Sequence, residues 1–208
     1  MIKALLLIFD PTATWERIVL TQRSLVFVLV AFLFPLLLLT SAAEGFGLVH
    51  WGKWQGEIGR IKQFPIGEAT IVEAAQFLLA LVVVFVGANM LKSIGETFHG
   101  RHTYTQAFTA VAYGLSPFFM LRLLDASPGI SPWVSWAVGI ILATAVLYHG
   151  VPRVMEPDPP HAFGLFFMTS LLLALITGLV RLLTASYLEG KFPKLQMLIS
   201  HWAARLPF

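Results

Sequence analysis

The chain has no cysteine among its 208 residues, and only 12% of them are Asp, Glu, Lys or Arg. The first absence excludes disulfides, thiolate metal sites and Cys nucleophiles together, and leaves the redox compartment open. The second excludes an ordinary soluble domain, whose water-facing surface brings the charged share to about 25%. There is no Gly-rich phosphate loop, no Ser nucleophile elbow and no His-Glu-x-x-His pair, so the common NTPase and hydrolase chemistries have no anchor. Lys and Arg are scattered rather than gathered into a basic stripe, which argues against a nucleic-acid partner.

What is present is apolar. Hydrophobic residues make up 57% of the chain, and the mean hydropathy is +0.78. The few charges leave long uncharged windows instead of thinning evenly, which is the pattern of bilayer spans. We read an all-α integral membrane bundle of about five transmembrane helices, a single domain over residues 1–208. The spans run over about 24–43, 74–91, 103–121, 131–151 and 162–180, each near the roughly 20 residues a 30 Å hydrocarbon layer requires. Pro35 predicts a kink in the first. The formal net charge of +3 favours contact with the anionic headgroups of a lipid bilayer. Six Lys or Arg residues flank one side of the spans and eight the other, so charge balance does not orient the chain.

Three segments outside the spans have an interfacial character. Asp10-Pro11 reads as an N-cap followed by Pro at the first helical position, opening an amphipathic helix with Trp15, Ile18 and Val19 on one side. In the long connection from Glu44 to Glu73, the residues Trp51, Trp54, Ile58 and Ile61 recur at helical spacing. Gly52, Gly56 and Gly59 oppose a helix there, so either an interfacial helix or an irregular loop dipping into the headgroups fits. After Gly190-Lys191-Phe192-Pro193, the residues Leu195, Leu198, Ile199, Trp202 and Leu206 form one face of a C-terminal interfacial helix.

Small residues recur every four positions: Ser135, Gly139 and Ala143 in the fourth span, Ser170, Ala174 and Gly178 in the fifth. The third adds Ala110 and Gly114. Such faces let helix backbones approach, either inside one bundle or toward a membrane protein partner or a second copy in a homo-oligomer. Glu96, His99 and His102 are spaced three apart, as metal ligands on a helix can be, but Gly100 interrupts that helix; solvated loop residues account for them better. No metal or cofactor is expected.

No span carries a charge near its middle, and Gln76, Asn89, Tyr113 and Ser116 are the most polar in-span residues. A bundle interior without buried charge is therefore expected, and with it a non-enzymatic protein acting as a scaffold or interaction partner. The alternative is a small transporter or channel component using polar groups between the second and third spans.

Several stretches resemble the Ypt-interacting-protein (YIP) domain family over nearly the whole chain. They are Phe9-Asp10-Pro11 with Trp15, the approach Phe98-His99-Gly100-Arg101-His102-Thr103-Tyr104-Thr105-Gln106-Ala107-Phe108, then Ala112-Tyr113-Gly114-Leu115-Ser116-Pro117-Phe118, and Tyr148-His149-Gly150-Val151-Pro152. The resemblance implies a five-span protein with a cytoplasmic N-terminus; eukaryotic members are associated with Rab-type GTPases. This sequence lacks their long hydrophilic N-terminal region and their Asp-Leu-Tyr-Gly-Pro motif. It resembles instead the bacterial members of the inner (cytoplasmic) membrane, which argues against a GTPase partner. The Tyr-Gly-Leu-Ser-Pro stretch also has a physical reading: Gly114 thins the helix, Pro117 frees the Tyr113 carbonyl, and Ser116 can help satisfy the backbone.

Overall fold

The structure, a computed structural model, describes residues 2–55, 59–98 and 103–205. Two short helices come first, α1 (Ile2–Phe9) and α2 (Pro11–Thr21). Asp10 caps α2 as its residue type predicts, its carboxylate accepting from the Ala13 N–H at 3.2 Å, with Pro11 beginning the helix. The apolar face of α2 packs on the bundle. Trp15 is wholly buried, and its indole Nε1 donates to the Val146 carbonyl at 3.0 Å.

Five helices are long and apolar enough to cross a membrane. The first, Leu25–His50, contains α3 (Leu25–Val28), a π-helical turn over Leu29–Leu33, and α4 (Phe34–His50). Pro35 thus follows directly on a widened turn, which absorbs the hydrogen bond its ring removes. The second span is α5 (Ile66–Thr97), 32 residues and about 48 Å long. The third joins α6 (Tyr104–Gly114), α7 (Ser116–Leu121) and a 3₁₀ turn over Arg122–Ala126. The fourth is α8 (Pro132–Met155), and the fifth leads from a short 3₁₀ turn into α9 (Ala162–Leu188). α10 (Pro193–Ala203) ends the described chain.

The third span lies at the centre: 67% of its apolar window is buried, against 33–44% for the others. Its break falls where the sequence places it. Leu115 separates α6 from α7, and the Ser116 hydroxyl donates to the Tyr113 carbonyl at 2.6 Å. A polar side chain thereby satisfies the acceptor that Pro117 leaves unpaired.

Between α4 and α5 the first long connection carries two short strands rather than an interfacial helix or a wholly irregular loop. β1 (Lys53–Gln55) and β2 (Arg60–Lys62) pair antiparallel, with Trp54 opposite Ile61. Both side chains are about half exposed, so the operative period is two rather than 3.6. Gly52, at φ +73°, turns the chain out of α4 where its Cα hydrogen faces the Lys62 carbonyl; a Cβ there would lie 2.3 Å from that oxygen. Ile58, part of the expected apolar stripe, lies outside the described residues.

Candidate functional site

Four of the spans outrun their uncharged windows at the same end of the bundle. α4 runs on through Glu44, α5 begins before Glu68 and Glu73, the third span ends on Arg122 and Asp125, and α9 continues past Arg181. Alternating span directions bring all of these ends together. There Glu44, Glu73, Gln76, Arg122, Asp125 and Arg181 are all buried. The expectation of an interior without buried charge is overturned. Residues that bound the apolar windows in sequence face one another in space rather than facing water.

Arg122 is the hub. Its Nη2 lies 2.8 Å from Glu44 Oε2, 3.3 Å from Glu73 Oε2 and 3.2 Å from Gln76 Oε1. Gln76 completes the ring, its Nε2 donating to Glu73 Oε1 at 3.1 Å and to Glu44 Oε1 at 3.3 Å. One amide thus bridges two carboxylates that would otherwise repel. A second group forms beside it: Asp125 accepts from the Arg181 guanidinium and from the Ser135 hydroxyl, while Arg181 Nε donates to the Pro132 carbonyl at 2.9 Å. Lys53 reaches in from β1, and its ammonium donates to the Ser127 carbonyl at 3.3 Å. Burial holds Lys53 below the ordinary lysine value of 10.5, with Glu44 and Asp125 opposing the shift. Glu44, Glu73 and Asp125 face Arg122, Arg181 and Lys53, so formal charge balances across the cluster. A further pair of contacts lies nearby, where Glu68 accepts from Lys62 and from the Tyr187 hydroxyl.

Glycine makes the approach of these elements feasible. A Cβ on Gly47 would stand 2.2 Å from the Ala126 carbonyl oxygen, so only glycine lets α4 meet the Arg122–Ala126 turn backbone to backbone. The arrangement is an ionic clamp joining α4, α5, the third span and α9. It offers balanced charge and hydrogen bonds, and its chemistry is that of cohesion.

The in-span polar residues are not brought together. Gln76 belongs to the clamp, and Asn89 lies on an exposed face. Tyr113 packs against Phe32 with ring centroids 4.1 Å apart and the planes tilted by 34°, and Ser116 is bonded within its own span. Four small residues turn inward. A Cβ on Gly114 would meet Leu147 Cδ2 at 2.3 Å, Gly139 lies against Phe118, Gly178 faces Trp136, and Ala143 is buried. Ser135 is spent on Asp125. On α9 the buried stripe is Thr169, Leu173, Thr177 and Arg181, so Ser170 and Ala174 flank it by one position. Pro117 is buried in the core. Glu96 is exposed and pairs with Lys92 at 3.5 Å, whereas His99 and His102 lie outside the described residues. Among the described residues no group of three His, Asp or Glu side chains could hold a metal ion.

Sequence reasoning misses the clamp when each member is read alone, as a solvated flank. One signal is available: ends sharing a topological side carry Glu44, Glu68, Glu73 and Asp125 against Lys53, Lys62, Arg122 and Arg181, a balance that favours pairing.

Comparison with known proteins places the chain in a family. The Yip1 domain model matches residues 5–200, and the chain belongs to that family. No curated protein and no solved structure matches the chain.

Proposed function

We propose that this member of the Yip1 domain family is a non-enzymatic scaffold that holds a transmembrane helix of a partner protein against its α4–α5 face. The observation that carries this reading is an open groove of about 560 Å³ between those helices. Small residues form part of its lining, Ser41, Ala42 and Gly45 on α4 with Ala69, Thr70 and Ala74 on α5, beside larger apolar side chains such as Phe34, Phe46 and Phe77. In lipid, such residues favour association because they let a second backbone come close. The clamp supports the reading by fixing α4 against α5, which keeps the groove preformed. Gly114, Gly139, Ala143 and Gly178 are assigned to packing within one bundle. Ser170 and Ala174 remain for contacts at its margin.

Photo-crosslinking residues at Ala42 and Ala74 test this, with the exposed Ile141 on a distant surface as control. Adducts to one membrane protein, or to a second copy, are expected from the groove positions only, and Ala42→Phe should suppress the Ala74 adduct. Lipid adducts alone from all three positions would overturn the reading. Family resemblance further supports a bacterial inner membrane location with the N-terminus in the cytoplasm. Reporter fusions at the two termini should then report opposite sides, as an odd number of spans requires.

A further inference from the structure

A second groove occupies a different face of α5. About 710 Å³ in volume, it lies between α5 and α9 beneath α10, within the about 300–1,000 Å³ range of sites that hold small molecules. Its walls are almost entirely apolar. Ile71, Ala75 and Leu79 follow one another at single-turn intervals along α5, so the wall runs about 12 Å along the helix toward the hydrocarbon. Leu183 faces it from α9. α10 roofs the groove: it begins beside the end of α9 and reaches α5 at Ala203, whose carbonyl oxygen lies 2.9 Å from where a Cβ on Gly67 would be.

The mouth is cationic. Lys191 and Lys194 both line it and both are exposed. Lys191 shares its charge with Glu189 at 2.7 Å, whereas Lys194 makes no ion pair among the described residues. The first turn of α10 lies at the same mouth, and its N-cap residue Phe192 brings no capping side chain. An apolar groove lined by two exposed lysines at the end of a span has the polarity of one amphiphile, an acyl chain carrying a negative headgroup. We propose that the groove between α5, α9 and α10 is a binding site for an anionic phospholipid. One acyl chain lies along Ile71, Ala75 and Leu79, and the phosphate sits between Lys191 and Lys194. This site stands independently of the partner groove, which uses other residues of α5.

Native mass spectrometry on the full chain, delipidated in detergent and then given equal phosphatidylglycerol and phosphatidylcholine of identical chains, tests the proposal. Wild type should retain phosphatidylglycerol by about fivefold or more for each lysine engaged. Lys191→Glu with Lys194→Glu, both at exposed positions, should abolish the preference while leaving phosphatidylcholine occupancy unchanged. Ala75→Trp should fill the slot and remove both lipids. Equal retention by wild type, or a preference that survives the lysine pair, overturns the site; should Ala75→Trp fail to fold, the lysine pair decides alone. The crosslinks from Ala42 and Ala74 should persist in the lysine variant, which separates the fate of this site from that of the scaffold reading.

Discussion

Arg122 and Glu44 stand 78 residues apart in sequence and 2.8 Å apart in space, with neither side chain more than 7% exposed. Breaking a buried ion pair from one side leaves a charge that water cannot reach, which costs about 3–5 kcal/mol. Arg122→Met should therefore lower the thermal midpoint in detergent sharply, because Glu44 and Glu73 then confront each other across Gln76. Adding Glu44→Gln should recover part of that loss. Single and double variants melting together would show that the two residues are not coupled.

The N-terminal helices depend on another close approach. A Cβ on Gly150 would fall 2.3 Å from two ring carbons of Trp15. Gly150→Ala is expected to expel the indole and break its hydrogen bond to the Val146 carbonyl, at an overpacking cost of about 1–3 kcal/mol. Limited trypsin digestion should read this as faster cleavage at Arg17 and Arg23, and Trp15→Ala should reproduce it.

Gly114 and Leu147 form a matched pair between α6 and α8. Gly114→Ala should destabilise by about 1–3 kcal/mol through overpacking. Leu147→Ala should do so through a cavity, by about 2–5 kcal/mol. Because one change fills the space the other empties, the double variant should be more stable than additivity allows. Strict additivity of the three melting shifts would refute the contact.

Lys53 gives a pH dependence whose sign follows from burial. Its folded value lies below the ordinary 10.5, so over that interval the unfolded chain holds a proton that the folded chain has released. Stability then rises with pH. The penalty of burying the ammonium is present in full below the folded value and is relieved as pH climbs through it toward 10.5. Compared with Lys53→Met, in which nothing titrates at this position, wild type should gain stability across that window. A constant difference between the two from neutral pH up to the ordinary lysine value would contradict the burial.

Much of the fold is legible from local chemistry. Asp10-Pro11 specifies a helix start because capping involves only neighbouring atoms. The Gly-Leu-Ser-Pro break is equally local, since the constraint of Pro117 acts within one turn and Ser116 reaches back only three residues. The strand pair is less legible: Trp54 and Ile61 satisfy a helical spacing on paper, and only their cross-strand pairing makes them a two-residue pattern. On α9 the small residues Ser170 and Ala174 lie one position away from the buried stripe, whereas Gly178 faces Trp136. They mark where a backbone can be approached, not which side a neighbour occupies.

The sequence by itself determined that this chain lives in a membrane and how many spans it carries, because the hydrophobic effect acts on composition, window by window. It also set the amphipathic caps at both ends of the bundle. Tertiary structure alone decided that Glu44, Glu73, Arg122, Asp125 and Arg181 are a clamp rather than five solvated flanks. Charge pairing depends on distance between residues far apart in the chain, and that distance is set by five helices packing side by side, with Gly47 admitting the contact that brings their ends together.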